Sequence, residues 1–142
     1  MKFKYAGLLL FVLIFTLNKN CFCQTTTDVK VLFTNIYDLC KAKKYDEAGK
    51  FVAFYSNDKK KEYKIPDPSN TEHSKYILRV VKRIEALSEI SGTYVISSVL
   101  KDKKNNLDFQ NVMVEFTSGT QKIKQIFRFV TLEGKLLLAE ID

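Results

Sequence analysis

The chain has 142 residues, a formal net charge of +7, three cysteines and a single histidine. At this length it is one domain, able to bury about two-thirds of its unfolded surface without disulfide or metal staples. The basic excess invites a nucleic-acid reading, but Lys2, Lys4 and Lys19 belong to a leader, and without those three charges the chain carries +4. The other basic clusters, Asn57–Lys64 and Lys101–Asn106, fall in predicted loops with few aromatics for base stacking, so no nucleic-acid partner is expected.

The leader comes first in chain order. Lys2 and Lys4 precede the uncharged run Ala6–Leu17, and polar Asn18, Lys19 and Asn20 follow it, the layout of a secretory signal peptide. The run is well short of the about 20 apolar residues that cross a bilayer, so no membrane span is expected after cleavage. Cutting after Cys23 would place Cys21 and Cys23 at the two positions where the peptidase wants small side chains. A lipoprotein is less well supported, because Asn20 and Phe22 stand before the two cysteines where a small residue is needed. The expected division is therefore a signal peptide over 1–23 and a secreted or periplasmic domain over 24–142. The mature chain would keep one cysteine, Cys40, which excludes an intramolecular disulfide. A lone C-x-C pair is a weak metal signal, and no metal site is expected.

From Val29 the apolar residues Leu32, Phe33, Ile36, Tyr37 and Cys40 recur at helical spacing, and Cys40 reads as a small buried hydrophobe. A second, shorter stripe, Tyr45, Ala48, Phe51 or Val52, and Tyr55, predicts another helix, weakened by Gly49. A charged linker with Pro66 and Pro68 leads to a third helix over about 70–91. Ser69 and Glu72 stand at capping-box spacing there, the stripe is His73, Tyr76 or Ile77, Val80, Ile84, Leu87 and Ile90, and Gly92 is placed to end it. Beyond Gly92 the period becomes extended. Four strands are predicted at about 93–100, 107–117, 122–132 and 135–141, with turns at Asn105-Asn106, Ser118-Gly119 and Glu133-Gly134.

Short turns between consecutive strands favour an antiparallel meander, so the expected class is α+β, with three N-terminal helices packed on a curved four-stranded sheet. Both sheet faces carry apolar residues. Phe127 and Phe129 oppose Ile126, Val130 and Leu132, and Phe109 and Met113 oppose Val112, Val114 and Phe116. A half-solvated sheet would alternate more cleanly. Its second face is expected to be covered either by a homodimer partner or by strong curling within one chain.

The helix pair carrying "YDEAGKFV", the longer third helix and the closing "FRFVTLEGKLLLAEID" resemble the nuclear transport factor 2-like superfamily, in particular its small secreted bacterial members. Phe127–Val130, Gly134-Lys135 and Leu136–Ile141 match its last hairpin, with Leu136 where a tryptophan is common. The resemblance implies a cone-like fold whose curved sheet wraps the helices and leaves an apolar pocket at one end. The expected lining is Tyr37, Phe54, Tyr55, Tyr76, Phe109, Met113, Phe127 and Phe129, each of which also reads as plain core. The fold hosts isomerases, dehydratases and binding modules, so function must come from the site.

Proton-shifting enzymes need a pocket base and an oxyanion donor. His73 sits near a helix start, Asp38 and Asp46 flank the stripes, and Glu115 interrupts a strand; none pairs with a second acid at a spacing that forces proximity. With no phosphate loop or nucleophile motif either, no catalytic residue and no cofactor is expected. The expected function is a secreted, non-catalytic domain that binds a small apolar ligand or a protein partner. The alternatives are an isomerase or hydrolase that uses a pocket carboxylate with a Tyr donor, and an assembly module that dimerises through its sheet.

Overall fold

A computed structural model describes residues 26–142 with the exception of Lys59; the expected leader, 1–23, lies outside the described residues. Helix α1 (Thr26–Lys41) turns Val29, Phe33, Ile36, Tyr37 and Cys40 into the core, as its three- and four-residue spacing requires. It ends where Lys43 takes a positive φ of 60° and the Lys44 N–H donates back to the Leu39 carbonyl at 2.9 Å.

Helix α2 (Tyr45–Gly49) is a single turn and stops well before Tyr55. The reason is tertiary. The Ala53 N–H donates to the Leu138 carbonyl at 2.8 Å and the Leu138 N–H to the Phe51 carbonyl at 2.7 Å, so the open edge of the last strand draws this segment out of helical pairing. Phe54 and Tyr55 form strand β1 (Phe54–Tyr55), antiparallel to β2 (Tyr63–Lys64), a small hairpin with no helical or alternating signature in the sequence. Gly49 is required at the end of α2 because a Cβ there would lie 2.7 Å from Ile77 Cγ2. Gly49→Ala is expected to cost about 1–3 kcal/mol through overpacking, visible as a lower urea midpoint with an unchanged slope.

Helix α3 (Thr71–Ile90) starts at Asn70, whose side chain accepts from the Glu72 and His73 N–H groups. Asn70 thus takes the capping role that the spacing assigns to Ser69. The buried face of α3 is Val81, Ile84, Glu85 and Ser88, rotated from the apolar stripe so that Ile90 is exposed. Two polar residues account for the rotation. Ser88 donates to the Glu85 carbonyl at 2.7 Å, and Glu85, only 8% exposed, accepts from the Tyr45 hydroxyl at 2.8 Å and lies 3.5 Å from Lys43 Nζ and 3.7 Å from Lys82 Nζ.

The Tyr45 hydrogen bond, and then Lys82 and Lys43, hold the Glu85 carboxyl below its ordinary value of 4.5, although burial opposes them. The folded state therefore binds this proton less readily than the unfolded chain. The resulting stability is present above about pH 4.5 and is lost as the pH falls through the lower folded value. A pH series of chemical denaturations should show stability declining below that point, with Glu85→Gln flattening the decline.

Strands β3 (Thr93–Lys104), β4 (Leu107–Ser118), β5 (Gln121–Leu132) and β6 (Lys135–Ile141) form one antiparallel sheet in the order β3-β4-β5-β6. Asn105 and Asn106 both have positive φ, as do Glu133 and Gly134, giving two-residue hairpin loops whose twist suits the flanking strands. The tight first loop lets β3 continue to Lys104, four residues beyond the apolar stretch that marked it in the sequence. Bulges interrupt the ladder at Ile96/Ser98 and at Arg128/Phe129.

The helices cover one face of the sheet, where Val112, Val114, Phe116, Phe127, Phe129, Leu138 and Ile141 meet α1 and α3. On the opposite face Phe109, Val130, Leu132, Leu137 and Ala139 are covered by the chain itself, through Ala53, Tyr63, Ile65 and Leu107. That cover reaches only part of the face. Val95 and Leu100 of β3 remain 63% and 61% exposed, and Met113 and Ile126 beside them are half-buried.

Candidate functional site

The helix-facing interior is packed. Phe33 meets Phe127 edge-on at 4.7 Å and Tyr94 at 5.4 Å, while Tyr37 lies 4.6 Å from Tyr94 and 6.1 Å from Phe116. Tyr37, Phe127 and Phe129 from the expected pocket lining are buried in this aromatic core. Phe54 stacks on the His73 imidazole at 3.9 Å and meets Tyr76 edge-on at 5.3 Å. Met113 is half-buried on the opposite sheet face. Tyr55 and Phe109 come together elsewhere, in a cleft over that face.

The cleft encloses about 450 Å³ and is formed by the β1–β2 hairpin lying against the β3–β4 turn, the middle of β5 and the end of β6. Tyr55, Tyr63, Leu107 and Phe109 make its apolar wall, with Tyr63 5.0 Å from Tyr55 and 5.8 Å from Phe109. Arg128 and Glu140, direct cross-strand neighbours, lie at its polar end. Lys60, Lys61, Glu62, Asp102, Lys104 and Asn105 complete the lining. The volume lies within the range of small-molecule sites, about 300–1,000 Å³.

The polar end is a closed network. Arg128 Nη1 donates to Glu140 Oε2 at 2.6 Å, Nη2 lies 3.3 Å from Asp142 Oδ2, and Nε donates to Asn111 Oδ1 at 3.2 Å. The Tyr63 hydroxyl donates to Glu140 Oε1. Both Glu140 oxygens are thus engaged, one by a cation and one by a phenol. Burial, and then the hydrogen bond to Glu140, push the Tyr63 phenol far above its usual range, so it stays protonated and donates to Glu140. Burial and the Glu140 charge push Tyr76 upward as well.

The acids considered from the sequence lie elsewhere. Asp38 and Asp46 are exposed, and Glu115 is bridged to Lys122 at 2.6 Å, a contact that holds its carboxyl below the usual range. His73 accepts the Asp67 N–H on Nδ1 at 3.0 Å. Burial, followed by the Glu85 charge, pushes the Cys40 thiol up to about 12, so it remains a thiol. None of the cleft-lining residues is Ser, Thr, Cys or His, and among the described residues no three metal-ligating side chains cluster.

A second hollow of about 480 Å³ runs between α2, Ile65, Pro66 and Pro68, and Ile77 and Leu78 of α3. It is more apolar, but its polar neighbours Asp46, Lys50 and Ser74 are exposed at the rim, and the Tyr45 hydroxyl is committed to Glu85. The sheet cleft, with polar groups converging on an aromatic wall, is the better equipped of the two. Tyr63, Arg128 and Glu140 carry no motif in the sequence. The one usable signal was the hairpin turn at Glu133-Gly134, which sets β5 against β6 and brings Arg128 near Glu140.

Among the described residues no helix is long and apolar enough to cross a membrane. No protein-family model and no curated protein matches the chain. Solved structures do. A Campylobacter jejuni protein provisionally described as an NTF2-like transpeptidase aligns over 80% of this chain and 98% of its own, with 11% identity and a TM-score of 0.50. A designed NTF2-type protein aligns over 82% and 95%, with 12% identity and a TM-score of 0.47. The beta subunit of the benzoate 1,2-dioxygenase of Burkholderia mallei aligns over 83% and 91%, with 11% identity and a TM-score of 0.35. At such identities the likeness is one of fold.

Proposed function

We propose that this chain, whose fold is nuclear transport factor 2-like, is an exported, non-catalytic domain that binds a small ligand with an apolar ring body in the Tyr55–Tyr63–Phe109 cleft. The observation that carries the reading is the cleft itself: an aromatic wall facing a polar end whose charges are already paired. A ring laid against the wall of Tyr55, Tyr63 and Phe109 gains offset or edge-on contacts with them, worth about 0.5–1.5 kcal/mol apiece beyond the area buried. The pre-paired Arg128–Glu140 end lowers the cost of ordering the site on binding. Titration calorimetry with a panel of aromatic compounds should show binding to the full chain. It should show binding at least about tenfold weaker to Tyr55→Ala, because one stacking wall is gone. A panel with no binder at all overturns the reading.

Export rests on the leader sequence of Lys2, Lys4 and the apolar run Ala6–Leu17. The intact mass of the exported protein should begin at Gln24; a diacylglycerol mass on Cys21 or Cys23 would replace this reading with a lipoprotein.

The Tyr63–Glu140 pair favours a second reading, acid–base catalysis by a pocket carboxylate with a Tyr donor. Each Glu140 oxygen already accepts one hydrogen bond, from Arg128 or from Tyr63, so a base at Glu140 would have to take its proton in competition with both donors. The binding reading therefore predicts no turnover of ketone or ester substrates, and that Glu140→Gln leaves this absence unchanged. Turnover abolished by Glu140→Gln would establish the catalytic reading instead.

A further inference from the structure

Charge around the cleft is uneven once each pair is assigned. Glu62 is 3.1 Å from Lys64, and Glu140 and Asp142 share Arg128. The Arg128 guanidinium is bonded to Asn111 through Nε and faces two carboxylates, Glu140 and Asp142, so its charge is already compensated within the network. That leaves Lys60, Lys61 and Lys104 lining the cleft, and among the described residues no ion pair engages any of them. The one carboxylate among the lining residues that is likewise outside an ion pair is Asp102, whose Oδ1 accepts the Lys103 N–H at 2.7 Å. The lysines come from opposite sides of the opening: Lys60 and Lys61 from the β1–β2 loop, Lys104 from the end of β3.

Lys61 is held in that loop with a φ of 44°, its N–H donating to the Asp58 carbonyl at 2.9 Å, while the Ser56 N–H donates to the Glu62 carbonyl at 3.0 Å. A non-glycine residue at positive φ is uncommon and marks a backbone fixed by its surroundings. Here the loop places two ammonium-bearing residues beside Tyr55 and Tyr63.

We infer that the ligand of this cleft is a ring-bearing anion, its ring against Tyr55, Tyr63 and Phe109 and its carboxylate or phosphate between Lys60, Lys61 and Lys104. The assignment rests on the reading of the cleft as a ligand site and adds the charge of what enters it. A neutral ring would leave three ammonium groups at the opening against the single carboxylate of Asp102. A cationic ligand would find the Glu62 and Glu140 carboxylates already paired, only Asp102 outside an ion pair, and three lysines on entry. An anion is drawn in by the lysines and needs no existing bond to break.

Three matched probes test this on the full chain: 2-naphthoate, 2-naphthyl phosphate and the neutral 2-naphthol, titrated by calorimetry at low and high salt. At least one anion should bind about tenfold or more tightly than the naphthol, and the advantage should shrink as salt screens the lysines. The anion that binds more tightly identifies the group as carboxylate or phosphate. In the Lys60→Glu, Lys61→Glu, Lys104→Glu variant, whose changes are all at exposed positions, the anion's advantage should disappear while naphthol affinity stays within about twofold. Naphthol binding as tightly as both anions, or anion affinity unchanged in the triple variant, overturns the charge assignment and leaves the ring site standing. No binding by any of the three overturns the ring site itself and the charge assignment with it.

Discussion

Replacing Phe127 with alanine is expected to lower the unfolding free energy by about 3–5 kcal/mol. Phe127 has no exposed surface, and its ring lies edge-on to Phe33 at 4.7 Å and 6.1 Å from Phe116. It is the point where α1 meets the two central strands, so the cavity left by truncation is lined from three elements that cannot all move inward. The loss combines the transfer free energy of the removed ring with the poorly relaxed void. Urea denaturation should show a lower midpoint at constant slope. Phe127→Leu, which keeps much of the volume, should cost substantially less. A loss under about 1 kcal/mol in the alanine variant would mean that the helix–sheet interior is not packed as described.

Arg128→Ala is expected to cost about 1–3 kcal/mol and to collapse the polar end of the cleft. The guanidinium fork alone joins Asn111 of β4 to Glu140 at the end of β6 and to Asp142 beyond it. Removing it leaves two neighbouring carboxylates without their cation, with Glu140 still held by Tyr63. The side chain is 30% exposed, so water relieves part of that penalty and keeps the cost below that of a fully buried pair. Arg128→Lys should recover little, because one ammonium point cannot satisfy three acceptors set at the angles of a planar fork. The measurement is a pair of denaturation curves together with ligand titration. Wild-type stability in the alanine variant would show the network to be ornamental.

The parts of this structure that could be read from the sequence are those in which local chemistry and tertiary structure agree. The four long strands are dense in β-branched and aromatic residues or, in β6, leucines, and Asn105-Asn106 and Glu133-Gly134 supply the positive-φ pairs that tight hairpins demand. Helix α3 was legible in extent but not in rotation, since the helix buries Glu85 and Ser88 and leaves Ile90 outside. An apolar stripe cannot anticipate a glutamate made tolerable by a tyrosine and a lysine distant in sequence, with Lys82 one helical turn away. The β1–β2 hairpin was invisible for a related reason. Its strands are two residues each and exist because β6 offers Leu138 as a backbone partner and the sheet offers Phe109 as a floor.

The cleft inherits that limit, because Tyr63 stood in what read as a charged linker. Counting back from the β5–β6 turn puts Ala139 opposite Arg128, and only the bulge beside Phe129 moves Glu140 into that place. The aromatic members Tyr55 and Phe109 could be named in advance by residue type. Tyr37, Phe127 and Phe129, named on the same ground, lie in the core, because a sequence does not say which side of a sheet is left hollow.

The two walls of the cleft differ in how they are held. One is built on β4 and β5, paired along ten consecutive positions from Phe109–Val130 to Ser118–Gln121. The other is the β1–β2 hairpin, with two paired positions and a single parallel bridge from Val52 to Leu138. In hydrogen-exchange terms the amides of β4 and β5 should be released only by global unfolding, whereas those of residues 54–64 should exchange through local opening of the hairpin. A bound ligand would then act as a latch, slowing exchange in the hairpin by the factor 1 + [L]/Kd while leaving the central strands at their ceiling. The cleft would thus report its own occupancy through the least stable element that builds it.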